Sequence, residues 1–199
     1  MKKFILMVAA AMMTAMSVNA QNEELKNEIS LSYGFGSTTQ LGNGIGEGLA
    51  MALLSNEELD DGFILGPISV EYFRHLNNPR IAIGGLVSYS KWDSDKLTRG
   101  DHQKVGERKR NYFAVMPAFK YYWVNKNNFA LYSKAAVGVG FFNSSDKDIV
   151  KNTTKDDNGT YFMFQASFIG VEFGGKLRGF AEAGFGEQGF IQAGVRYKF

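Results

Sequence analysis

The sequence predicts an all-β fold: a transmembrane, antiparallel, up-and-down barrel of eight strands. Three observations predict it. Eight stretches alternate bulky apolar residues with small or polar ones, the connections between them alternate short and long, and the last stretch ends on an aromatic residue, Phe199. The composition agrees, with 23 glycines, 14% aromatic residues and only three prolines. Small residues on one face of a closed sheet and aromatics on the other use such a composition well.

Residues 1–20 are expected to form a cleaved secretory signal peptide. Lys2 and Lys3 are followed by an apolar run from Phe4 to Met16, and Val18 and Ala20 occupy the small-x-small positions before a cut at Gln21. The run is shorter than the roughly 20 residues that a membrane-spanning helix needs. Residues 21–199 are then the barrel domain. Loss of Lys2 and Lys3 brings the 22 basic residues level with the 20 acidic ones. A neutral chain argues against bulk electrostatic binding of nucleic acid. Cysteine is absent, which excludes disulfides and thiolate metal sites, and no cofactor or metal signature appears.

Each strand is read from period-two alternation. Over 28–37, Ile29, Leu31, Tyr33 and Phe35 oppose Ser30, Ser32, Gly34 and Gly36. Over 63–75, Ile64, Ile68, Val70 and Tyr72 oppose Ser69 and Glu71; over 80–91, Ile81, Ile83, Val87 and Tyr89 oppose Ala82, Gly84, Ser88 and Ser90. The fourth, 111–124, sets Phe113, Val115, Phe119, Tyr121 and Trp123 against Ala114, Ala118 and Lys120. The fifth, 128–142, sets Phe129, Leu131, Val137, Val139 and Phe141 against Lys134, Gly138 and Gly140. In the sixth, 160–173, Phe162, Phe164 and Phe168 share parity with Glu172, so a bulge is expected near its middle. The seventh, 178–187, opposes Ala181, Ala183 and Phe185 to Glu182 and Gly184. The eighth, 189–199, opposes Ile191, Ala193, Val195, Tyr197 and Phe199 to Gln192, Gly194, Arg196 and Lys198.

Short turns are expected at 75–79, 125–128 and 174–176. Between them lie long polar loops and one brief loop at 186–189. Outer-membrane barrels have short periplasmic turns and longer outer loops, and an even strand count brings both termini to the short-turn side. A soluble sandwich or lipocalin-like barrel would turn its apolar face inward. Here the bulky face is too large for a narrow eight-stranded interior, where small residues belong, so it is assigned to lipid.

The carboxy-terminal run Gln192-Ala193-Gly194-Val195-Arg196-Tyr197-Lys198-Phe199 resembles the signal read by the barrel-assembly machinery, with Gln192, Gly194, Tyr197 and Phe199 at its defining positions. The whole mature chain resembles the small eight-stranded outer-membrane barrels of Gram-negative bacteria, the broad family with OmpA-, OmpX- and OmpW-type domains. It looks closest to the short stand-alone members. The resemblance implies residence in the cell outer membrane as a monomer, contact with lipid and lipopolysaccharide, and passage past periplasmic chaperones and the assembly machinery.

Parity sends Glu71, Lys120, Lys134, Glu182 and Arg196 into the lumen, with Glu172 joining them if the sixth strand bulges. Unpaired buried charges are costly, so an ion-pair network plugging the barrel is expected, with a narrow ion path as the alternative. Lys96, Arg99, Lys104, Arg108, Lys109 and Arg110 crowd the second long loop. They are candidate contacts for lipopolysaccharide phosphates, diluted by Asp93, Asp95, Asp101 and Glu107. Trp92, Tyr112, Tyr121, Tyr122 and Trp123 near strand ends are read as interface girdles. Loop one, with its glycine series Gly42 to Gly48, is read as flexible and followed by a short helical turn over Leu49 to Leu54.

No catalytic set emerges. Only His75 and His102 are present, His75 at a periplasmic turn and His102 in the second long loop with Ser144 or Ser145 as distant candidates. The reading is therefore a non-enzymatic barrel with a structural or surface-interaction role. A porin-like narrow channel and an outer-leaflet lipid A-modifying hydrolase stand as alternatives.

Overall fold

The structure, a computed structural model, describes residues 25–42, 57–98, 103–150 and 152–199. The leader at 1–20, the helical turn at 49–54, Arg99 and His102 lie outside the described residues.

Eight strands follow one another around a closed ring: β1 (Asn27–Phe35), β2 (Glu57–His75), β3 (Ile81–Thr98), β4 (Lys104–Asn125), β5 (Phe129–Asp148), β6 (Thr153–Gly174), β7 (Leu177–Gly186) and β8 (Ile191–Lys198). A single helical turn, α1 (Thr38–Leu41), follows β1. Each strand pairs antiparallel with its chain neighbour. β8 returns to β1 over eight register positions, from Glu28↔Lys198 to Phe35↔Ile191. Closure removes sheet edges, whose unpaired N–H and C=O groups lipid cannot satisfy.

The faces divide as alternation requires. Leu31, Ile83, Phe119, Trp123, Val137, Phe162, Phe168 and Val195 are exposed on the outside, with Phe162 and Phe168 at 71% and 70%. Leaving one such side chain in water instead of burying it forgoes about 1.5–3 kcal/mol. The alternating small residues point inward: Ser30, Ser32, Ala82, Ser88, Ala114, Ala118 and Ala136 are buried.

Three expectations are corrected. First, β2 to β6 run well past the predicted ends: β4 begins at Lys104 rather than 111, β5 continues to Asp148 and β6 begins at Thr153. Most of the long second and third loops is therefore strand. Cross-strand polar pairs such as Arg108 with Asp146 and Ser145 with Asp156 join the backbone pairing there, and beyond Trp92 the extensions carry little apolar alternation. Second, Trp92, Tyr112 and Tyr122 are not girdle residues. They are 7%, 7% and 0% exposed on the inner face, as their even numbering in β3 and β4 dictates, while Tyr121 and Trp123 pack edge to face outside. Third, the lumen is not filled by small residues alone. Phe73, Leu86, Met116, Tyr122, Tyr132, Met163 and Phe180 are buried with them.

In β6 the register slips on both sides, between Ser167 and Gly170 against β5 and between Ser167 and Ile169 against β7. Phe168 and Ile169 are consequently both exposed, and Glu172 turns inward with no exposure.

Candidate functional site

The inner wall carries a charge layer that the registers assemble. Lys120 of β4 lies beside Lys134 of β5, and Arg178 of β7 beside Arg196 of β8. Cations set side by side across strands repel, and here they are buried, with little water to screen them. Carboxylates brought by other strands resolve this. Glu28 of β1 accepts hydrogen bonds from Lys120, from the Tyr122 hydroxyl at 2.8 Å, and faces His75 Nε2 at 3.2 Å. Glu71 of β2 accepts from Lys134 at 2.5 Å, from Ser30 at 3.1 Å and from the Gln188 amide at 2.9 Å.

Glu182 of β7 faces Lys134 Nζ at 2.7 Å and accepts from Tyr132 at 2.6 Å and from Gln192. Glu172, turned inward past the bulge, accepts from Arg178 at 2.9 Å, from Lys198 at 2.6 Å and from Arg196. Arg196 is the hub. Its guanidinium also approaches Glu71 at 3.5 Å, Glu182 at 3.6 Å and Glu28 at 3.7 Å, and it stacks over the rings of Phe180 and Tyr132. Lys120 Nζ sits 4.0 Å from the centre of the Phe73 ring. The large lumenal aromatics thus have a role: their faces take up cation charge where water is excluded.

The structure brings Glu71, Lys120, Lys134, Glu172, Glu182 and Arg196 together in one connected layer. Glu28, Lys198, Arg178, Tyr122 and Tyr132 complete it, beyond the six residues that the sequence assigns to the network. The same parity rule finds Glu28 with Ser30 and Lys198 with Arg196. The predicted lumenal set stopped short of both strand ends.

Above this layer the extended strands carry a second, wetter set of charges. Asp146 receives Lys96 Nζ and Arg108 Nη2, each within 2.7 Å. Lys104 reaches Asp95 at 3.0 Å and Glu107 at 2.8 Å, and Lys109 approaches Glu107 at 3.4 Å. Arg110 donates to Ser144 Oγ at 3.3 Å. Partial burial opposes the charge on Asp146, but hydrogen bonds from Lys96 and Arg108 outweigh it and hold the carboxyl below its usual range. The four described members of this set that bind acidic partners, Lys96, Lys104, Arg108 and Lys109, are therefore braced on the strand surface.

At the carboxy terminus Gln192 and Gly194 face inward, and Tyr197 stacks with Phe199 on the outside. Gly194 is sterically required, because a Cβ there would lie 2.2 Å from the Leu31 carbonyl oxygen. Of the histidines, His75 is committed to Glu28 and the ring of Tyr122, with no serine bonded to it among the described residues. No cluster of His, Asp and Glu able to hold a metal ion occurs among the described residues.

No protein-family model matches the chain, and no curated protein does. Among solved structures it is similar to Ail, the attachment invasion locus protein of Yersinia pestis, in complex with the heparin analogue sucrose octasulfate. That match has 13% identity and a TM-score of 0.47, covering 87% of this chain and 99% of the other. A second structure of Ail matches with 13% identity and a TM-score of 0.43, covering 87% and 97%.

Proposed function

We propose that this protein is an exported, monomeric barrel of the outer membrane whose lumen is shut by the charged layer and which acts through its outer face. The observation that carries the reading is the inversion of the two surfaces. Large apolar side chains stand exposed outside, while Glu28, Glu71, Glu172, Glu182, Lys120, Lys134 and Arg196 are buried inside. An apolar exterior is stable in hydrocarbon, and buried charges that each face an opposite charge fill the lumen where an ion would have to pass. The role is structural or one of surface contact rather than enzymatic. Anionic lipid phosphates are the expected contacts of the outer rim, met by Lys104 and Lys109 as the more exposed of its described cations, together with Lys96, Arg108 and Arg110; Arg99, outside the described residues, stays a candidate from the sequence alone.

Planar-bilayer recording tests the closed lumen. The refolded protein is expected to give no steady conductance, and regular channels that respond to Lys120→Ala would overturn the reading. Membrane residence is checked separately by gel migration before and after boiling. A folded barrel shifts in mobility, and an unshifted, detergent-independent protein would sink this part of the proposal.

A further inference from the structure

The barrel wall is complete only up to a certain height. β7 ends at Gly186, paired with Gln165, and the turn after it makes one last contact, from Glu187 N–H to the Phe164 carbonyl at 3.0 Å. β6 continues to Thr153 with β5 alone at its side. From Tyr161 to Phe164 it therefore has a strand on one side only among the described residues. What faces it is the turn after β1, where Gly36 takes a left-handed φ of 69° and α1 begins. That turn is fixed by the Thr39 hydroxyl, which donates to the buried Glu187 carboxylate at 2.5 Å.

A cavity of about 570 Å³ occupies the space between them. Its lining settles its direction. Met163 points into the barrel and Phe162 out of it, yet both line the cavity, together with Phe164. Four consecutive residues, Tyr161 to Phe164, line it, so the space lies along the edge of β6 that no described strand covers, in the plane of the wall. Phe162 is the uppermost outward apolar side chain of β6, with Thr160 and Asn158 following beyond it. The opening thus lies at the top of the apolar belt.

The cavity is graded along its length. Tyr112, Phe142, Tyr161 and Met163 form an apolar inner wall, and Arg110, Ser144 and Asp157 stand at the aqueous end. The Tyr161 hydroxyl is buried with no hydrogen-bond partner among the described residues. A buried hydroxyl left so costs about 1–3 kcal/mol, and what Tyr161 presents to the cavity is its ring. The volume lies within the roughly 300–1,000 Å³ of small-molecule sites.

We propose that this cleft is a lateral binding site for a single-chain amphiphile drawn from the surrounding membrane. Its alkyl chain lies against Tyr112, Phe142, Tyr161 and Met163, and its polar head lies among Arg110, Ser144 and Asp157. Thr38 and Thr39 form the side through which it enters. The inference rests on the membrane reading above. Incorporation into lipid nanodiscs reports on that reading independently.

The chain has no cysteine, so an introduced thiol is unique. In nanodiscs, Met163→Cys is expected to react with N-dodecylmaleimide roughly tenfold faster than Met116→Cys on the closed part of the wall, since thiol reactivity follows access. Excess dodecanol should slow the reaction, and Thr38→Trp, which fills the entrance, should do the same. Each variant is first checked for folding by heat-modifiable migration. Equal rates at the two positions, indifference to dodecanol and to Thr38→Trp, or faster labelling by a charged water-soluble maleimide would each overturn the proposal, the last by showing an aqueous vestibule instead.

Discussion

The lumen and the outer rim use the same chemistry under opposite conditions. In the lumen, Glu172 is bonded by three cations and shares Arg196 with Glu71, Glu182 and Glu28, none of them more than 5% exposed. At the rim, Asp146 also gathers two cations, yet a quarter of its side chain remains in water. Water screens the rim pairs and replaces a lost partner at little cost. The lumen has no such substitute, so each missing group there leaves charge uncompensated. Burial, rather than the number of ion pairs, decides what a charge cluster contributes.

Three substitutions sharpen or break this contrast, beginning with the largest effect. Arg196→Met removes the hub and leaves several carboxylates short of a cation. A loss of about 3–5 kcal/mol is expected in urea unfolding from lipid vesicles, the range for stripping one partner from a buried pair. A loss no greater than that at the rim would end the comparison. Tyr132→Phe deletes only the hydroxyl that donates to Glu182 at 2.6 Å. It is expected to cost about 1–3 kcal/mol by the same measurement, and a cost near zero would mean that water enters the lumen to replace the hydroxyl.

Asp146→Asn is expected to cost less than about 1 kcal/mol, and less still in high salt. Its pH dependence has a fixed sign. A carboxyl held below its ordinary value near 3.8 stabilises the fold above that value, and the contribution disappears as pH falls. The unfolding midpoints of wild type and Asp146→Asn should therefore converge in acid. Convergence in alkali would contradict the assignment.

Much of this molecule was legible from the period-two pattern. The eighth strand could be read residue by residue, because Ile191, Val195 and Tyr197 on one side and Gln192 and Arg196 on the other leave no ambiguity of face. The bulge was legible too, since only an extra residue reconciles Phe164 with Glu172. The upper halves of β2 to β6 were not. From Asp93 to Lys96, or from Asn143 to Asp148, polar residues occupy both faces, and nothing in their order distinguishes a wet strand from a loop. Trp92, Tyr112 and Tyr122 differ for another reason: an aromatic near a strand end fits an interface girdle by type, and only its even numbering places it on the inner face. The lateral cleft was beyond the reach of sequence altogether, because it depends on β7 stopping twelve residues short of the outer end of β6.

Arg196 also bears on how the ring closes. β1 and β8 are among the shortest strands, and Ser30 pairs with Arg196 at their seam. A slip of one residue would turn every side chain of β8 to the opposite face. In the membrane setting proposed above, Arg196 would then meet hydrocarbon, at about 2–4 kcal/mol near the bilayer midplane. Four carboxylates from β1, β2, β6 and β7 would at the same time lose their common cation. A single guanidinium thereby checks the alignment of the final joint, rejecting mis-seated barrels at the one step where backbone pairing alone would accept them.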